Sequence, residues 1–220
     1  MKLKKIVLLA IPFFLFSCVI QQDIYFNKDF SGSYKYSFDF KEYNEYMNIE
    51  TDEEDDEDNN LSNEDFEEYL NFVKSGLSNV YGIENLKIVN NADQGEVYFS
   101  FDFADIESLN EALKYANLME SETNEFSSYF EKKGKTITYL RPELPEVKED
   151  NNEEEFEEED FDYANLFVWR FNIEFEAEVK KHNLAKDTTI SIQKAGRKFT
   201  ETNNVFDYTK KETKWVFKMK

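Results

Sequence analysis

The chain has 220 residues, with 26 lysines and arginines against 47 aspartates and glutamates, for a formal net charge of −21. That balance excludes nucleic-acid binding, which needs basic patches against phosphate, and no polybasic run of the kind that grips anionic head groups occurs. The length suits one domain: three prolines and six glycines interrupt it, no Ser/Gly-rich linker divides it, and 22 phenylalanines, 13 tyrosines and two tryptophans supply a core.

Lys2, Lys4 and Lys5 precede an apolar run from Ile6 to Phe16, then Ser17 and Cys18. This is the layout of an export signal. The run is about ten residues, whereas a helix crossing a hydrocarbon core of roughly 30 Å takes about twenty. Leu15-Phe16-Ser17-Cys18 resembles the lipobox of bacterial lipoproteins, with Phe16 standing where a smaller residue is usual. The resemblance implies that residues 1–17 are a signal peptide and that Cys18 carries a diacylglyceryl group and a further acyl chain. Two or more chains hold a protein firmly to a membrane. Cleavage removes three lysines and no acids, which takes the formal charge from −21 to −24 over the remaining 203 residues. Cys18 is the only cysteine, so no intramolecular disulfide forms. Residues 18–22 are expected to be a short tether, and at about 3.6 Å per residue at most they keep a single domain, residues 23–220, close to the bilayer.

Within that domain, Ile24 to Phe26 reads as a short strand leading into the turn-forming cluster Asn27-Lys28-Asp29-Phe30-Ser31-Gly32-Ser33. Tyr34, Tyr36, Phe38 and Phe40 then alternate with polar residues, which predicts a half-buried strand and a hairpin. Residues 51–60, reading TDEEDDEDNN, and residues 143–162, centred on NNEEEFEEED, are acidic stretches expected as solvated loop insertions. Asn63 is placed to cap a helix bearing Phe66, Leu70, Val73 and Leu77 at three- and four-residue spacing. Leu86 to Val89 and the alternating Val97, Phe99, Phe101 and Phe103 read as strands. Asp105 is placed to cap a second helix with Ile106, Leu109 and Leu113 on one side.

Phe126 to Phe130 and Thr136 to Leu140 flank Lys132-Lys133-Gly134-Lys135, which predicts another hairpin. Phe167, Trp169, Phe171, Ile173, Phe175, Ala177 and Val179 alternate strictly with more polar neighbours and read as one long strand. Shorter strands follow near 188–193, 198–202 and 213–218. The expected fold is α+β: an antiparallel β-sheet whose aromatic face is covered by two amphipathic helices.

The opening strand, the turn at 27–33 and a final strand bearing Trp215 in Thr213-Lys214-Trp215-Val216-Phe217 resemble the LppM-type lipoprotein domain of bacterial envelopes. The likeness spans most of residues 23–220, although Phe30 stands where such turns often carry glycine and the acidic insertions depart from the pattern. It implies an association with envelope lipids or glycolipids and carries no enzymatic residues.

Catalytic chemistry finds little support. The single cysteine is the lipidation candidate, and a histidine-dependent triad or zinc site would rest on His182 alone, in the polar stretch Lys180-Lys181-His182-Asn183. Asp52, Asp55, Asp56, Asp58 and Asn59 offer the oxygen ligands calcium prefers, but residues 51–60 lack the central glycine of an EF-hand loop. No metal and no cofactor is expected. The rings of Tyr36, Phe38, Phe99, Phe101, Trp169 and Phe171 are candidates for lining an apolar pocket, though closing on each other as a plain core is favoured. The expectation is a lipid-anchored, non-enzymatic binding module outside the cytoplasm, on the cytoplasmic or outer membrane. Its partner would be an apolar envelope molecule or a basic protein, and not nucleic acid. The alternatives are a carboxylate-dependent envelope hydrolase and a calcium-responsive structural lipoprotein.

Overall fold

The structure is a computed structural model that describes residues 18–41, 63–116, 129–141, 167–184, 189–204 and 212–220. The export segment 1–17 and both acidic stretches lie outside the described residues.

Strands β1 (Cys18–Phe26) and β2 (Gly32–Asp39) form the expected hairpin, in register from Val19↔Asp39 to Phe26↔Gly32. The turn between them closes through Phe30 N–H to the Asn27 carbonyl at 3.0 Å and Asn27 N–H to the Ser31 carbonyl at 2.8 Å. Residues 18–22, expected as a tether, are already part of β1.

Helix α1 (Asn63–Leu77) buries Phe66, Leu70, Val73 and Leu77, the stripe its spacing selects. The side-chain oxygen of Asn63, expected to cap this helix, accepts the Ala92 N–H at 2.8 Å. It thereby ties the start of α1 to the 3-10 turn (Ala92–Gln94) between β3 (Ile83–Asn91) and β4 (Glu96–Phe103). Helix α2 (Ile106–Ala116) is capped by Asp105, whose Oδ1 accepts both the N–H and the hydroxyl of Ser108 at 2.8 Å. The two helices meet where the Tyr69 hydroxyl donates to the Ala116 carbonyl at 2.9 Å.

The remaining strands are β5 (Tyr129–Lys133), β6 (Thr136–Arg141), β7 (Phe167–Phe175), β8 (Val179–His182), β9 (Ile190–Gln193), β10 (Lys198–Asn204) and β11 (Thr213–Met219). They correct the expected architecture in two ways. First, a single antiparallel sheet is replaced by a seven-stranded mixed sheet, order β3-β4-β2-β1-β7-β10-β9, and a four-stranded sheet, order β5-β6-β11-β8. At the centre of the larger sheet β1 and β7 run parallel, from Cys18↔Phe167 to Phe26↔Phe175. Alternation reports that one face of a strand is buried; it is silent on the direction of the neighbouring strand.

Second, the run 167–179 is two strands. Phe175 ends β7, the chain bends at Glu176 and Ala177, and β8 joins the other sheet by pairing with β11. The alternation survives the bend because both sheets bury rings in one core. Tyr139 stacks on Phe171 at 4.6 Å, and Phe217 lies 4.8 Å from Phe199 and 5.1 Å from Phe175. The aromatic face of the large sheet is therefore covered by the helices over one part and by the small sheet over the rest. Burying each such ring contributes on the order of 1.5–3 kcal/mol, with about 0.5–1.5 kcal/mol more for a well-arranged aromatic pair.

Candidate functional site

Residues of β1 alternate. Cys18, Gln22, Ile24 and Phe26 are buried, while Gln21, Asp23 and Tyr25 lie on the outer face. Cys18 is 3% exposed and sits opposite Phe167. Burial first, and the Asp39 carboxylate second, push its thiol up to about 12. The candidate lipid site is thus a buried residue at the start of a central strand.

The six aromatic candidates are all buried in the core. Tyr36 stacks on Phe99 at 5.5 Å and meets Trp169 at 6.0 Å. Phe38 packs on Phe66 at 5.5 Å, Phe101 on Tyr34 at 5.0 Å, and Phe171 on Tyr139. The structure brings Tyr36, Phe99 and Trp169 together and sets Phe171 against the small sheet. Each ring is walled by its neighbours.

The opposite face of the large sheet is polar, and no helix or strand among the described residues covers it. It holds a depression of about 290 Å³ whose lining includes Asp23, Lys35, Asp102, Asn172, Glu174 and Lys198. Through Asp23 and Asn172 it adjoins a chain of hydrogen bonds across three strands. The Thr200 hydroxyl donates to Asn172 Oδ1 at 2.6 Å, and Asn172 Nδ2 donates to Asp23 Oδ1 at 2.8 Å. Gln21 Nε2 donates to the other Asp23 oxygen at 2.7 Å, and Arg170 donates to Gln21 Oε1 at 3.2 Å. On the far side Asn85 Nδ2 donates to Asp102 at 2.7 Å. Beside the depression, Lys35 and Lys87 place their ammonium groups 4.2 and 5.1 Å from the Tyr98 ring centroid.

Sequence reasoning missed this surface. Parity along each strand marks its residues as outward-facing. Asp23 and Asn172, however, are 149 residues apart, and they meet only because β1 and β7 run parallel.

Among the described residues no group of three His, Cys, Asp or Glu is arranged to hold a metal ion. Residues 51–60, weighed for calcium, lie outside the described residues. His182 ends β8, in a strand where a turn was expected, and its ring contacts Phe199 at 5.4 Å. No helix among the described residues is long and apolar enough to cross a membrane.

No family model and no curated protein matches the sequence. Among solved structures, the chain has a likeness to the folded domain of LppM of Mycobacterium tuberculosis, determined by NMR. The TM-score is 0.44 at 7% identity, over 93% of this chain and 90% of that one. At this level of likeness neither a family nor a residue role is taken from it.

Proposed function

We propose that the chain is a bacterial envelope lipoprotein, held at a membrane by lipid on Cys18, whose domain is a non-catalytic binding module. In this reading the outer face of the large sheet meets the partner. The observation that carries it is the sequence Leu15-Phe16-Ser17-Cys18 behind a basic and then apolar start, with Cys18 the first residue of a central strand. An anchor built into the sheet fixes the domain at the bilayer, with the other end of β1 about 26 Å away at roughly 3.3 Å per residue.

The outer face favours binding over catalysis because its carboxylates serve its own architecture. Asp23 accepts from Asn172 and Gln21, and Asp102 accepts from Asn85. An apolar envelope molecule would have to displace interlocked core rings, whereas a polar or basic protein partner meets preformed acceptors. The net charge of −21 speeds encounter with a basic partner in a salt-sensitive way.

Detergent phase partitioning of the expressed chain and of Cys18→Ala tests the anchor. The wild-type chain is expected in the detergent phase and the variant in the aqueous phase, with unchanged far-UV circular dichroism. A variant that still partitions with detergent would contradict the proposal.

A further inference from the structure

Beyond the end of β1 opposite Cys18, turns from distant parts of the chain gather around a cleft of about 650 Å³. Lys28 comes from the β1–β2 turn, Lys135 from the β5–β6 turn, Arg197 from the β9–β10 turn, and Lys220 follows β11. Glu176 and Glu178, from the bend between β7 and β8, complete the polar lining. Two of the cations are answered there: Lys28 Nζ lies 3.3 Å from Glu176, and Lys220 Nζ pairs with Glu178.

Among the described residues neither of the other two pairs with an aspartate or glutamate side chain. Lys135 Nζ donates to the Lys220 carbonyl at 2.9 Å. Arg197 Nε donates to the Lys194 carbonyl at 3.3 Å, which steadies the guanidinium and leaves its two terminal nitrogens unbonded among the described residues. A chain of net charge −21 thus carries a locally cationic mouth. It is assembled from single lysines and arginines that form no polybasic run in the sequence.

The floor of the cleft is apolar, made by Phe30, Ala177, Ala195 and Met219. Lys132 reaches over the Phe30 ring, 4.6 Å from its centroid. Backbone strain collects at the same place. Four non-glycine residues among those described have positive φ, and three of them, Phe30 at 73°, Lys194 at 50° and Ala195 at 56°, line or border this cleft. Glycine is the unstrained choice at such positions, and strain of this kind persists where the surroundings enforce it, with a preference for binding sites.

From this convergence we infer that the cleft docks an acidic peptide of a partner protein, one that carries an apolar or aromatic side chain among its carboxylates. One carboxylate takes the free fork of Arg197, whose planar geometry suits two parallel hydrogen bonds. The apolar side chain rests on the floor at Phe30 and Met219. The fork of Arg197 matches a single carboxylate, and Glu176 and Glu178 are already paired with Lys28 and Lys220. The cleft also lies at the opposite end of β1 from Cys18, about 26 Å away, beyond a bilayer that holds Cys18.

The test is fluorescence anisotropy with the full chain in detergent and a labelled Glu-Glu-Phe-Glu-Glu peptide. Its glutamine counterpart and phosphatidylglycerol vesicles serve as competing probes. Saturable, salt-weakened binding of the acidic peptide alone is expected. Arg197→Gln should weaken it about tenfold, the equivalent of about 1.4 kcal/mol, and Glu178→Gln should tighten it. Absence of peptide binding, equal binding by a folded Arg197→Gln variant, or binding of the vesicles without the peptide would each overturn the proposal.

Discussion

Arg141 Nη1 lies 3.1 Å from Glu201 Oε2 in a buried ion pair that joins β6 of the small sheet to β10 of the large one. Arg141 also donates through Nη2 to the Thr213 hydroxyl at 2.8 Å. Removing one member of such a pair leaves the other charge stranded away from water, at a cost of about 3–5 kcal/mol, whereas replacing both with apolar residues is often neutral or better. Arg141→Met and Glu201→Leu should each lower the urea midpoint strongly, and the double variant should recover most of the loss. Additive losses in the double variant would show that the pair does not act as a unit.

The Cys18 thiol supplies a prediction about reactivity and pH. In the unlipidated folded chain, burial and the Asp39 carboxylate keep it protonated up to about 12, above the 9.0 of a free thiol. A thiol reagent at pH 8 should label it only after denaturation. The folded value is the raised one, so this group's contribution to stability is complete below pH 9.0 and is lost as pH rises toward about 12. Rapid labelling of the native chain at pH 8 would refute the buried position.

Gly32 and Gly134 should differ sharply on substitution by alanine. A Cβ at Gly32 would stand 1.8 Å from the Tyr25 carbonyl oxygen and 2.7 Å from the Phe103 ring, whereas one at Gly134 meets nothing within 4 Å. Gly32→Ala forces the hairpin and a core ring apart, at a cost of about 3 kcal/mol, the upper end of typical overpacking. Gly134→Ala bears only the strain of its positive φ of 59°, roughly 1–2 kcal/mol. Thermal melting of the two variants checks the order.

Asp105 should link helix α2 to acid stability. Hydrogen bonds from the Ser108 backbone and then its hydroxyl hold the carboxyl below its ordinary 3.8. A depressed folded value means that the contribution is present above 3.8 and is lost as pH falls through the lower folded value. Asp105→Ala should cost about 1 kcal/mol at pH 7, and its difference from wild type should shrink as pH drops below 3.8. A difference independent of pH would contradict the cap.

Asp105 also shows what the sequence makes legible. An aspartate directly before apolar residues at helical spacing locates a cap and a helix, and alternating rings locate β2, β4 and β7. These are local patterns with a period. The Asn63 side chain reaching Ala92, the parallel pairing of Cys18 with Phe167, and the jump of the chain between sheets at Ala177 depend on contacts across the fold, which periodicity does not encode. The same limit governs the sites. Cys18 is a candidate only because its neighbours Leu15 to Ser17 mark it. The six aromatic candidates were legible as an apolar set, but the set is the core itself. The Asp23–Asn172–Thr200 chain and the cleft at Arg197 are assembled from residues far apart in sequence, so neither leaves a local pattern.

The most direct test of the anchored reading is the intact mass of the chain extracted from the envelope of a bacterial host expressing its full sequence. The account predicts a chain that begins at Cys18 and carries a diacylglyceryl group on that residue. A chain that retains residues 1–17, or one that begins at Cys18 with an unmodified thiol, would contradict it.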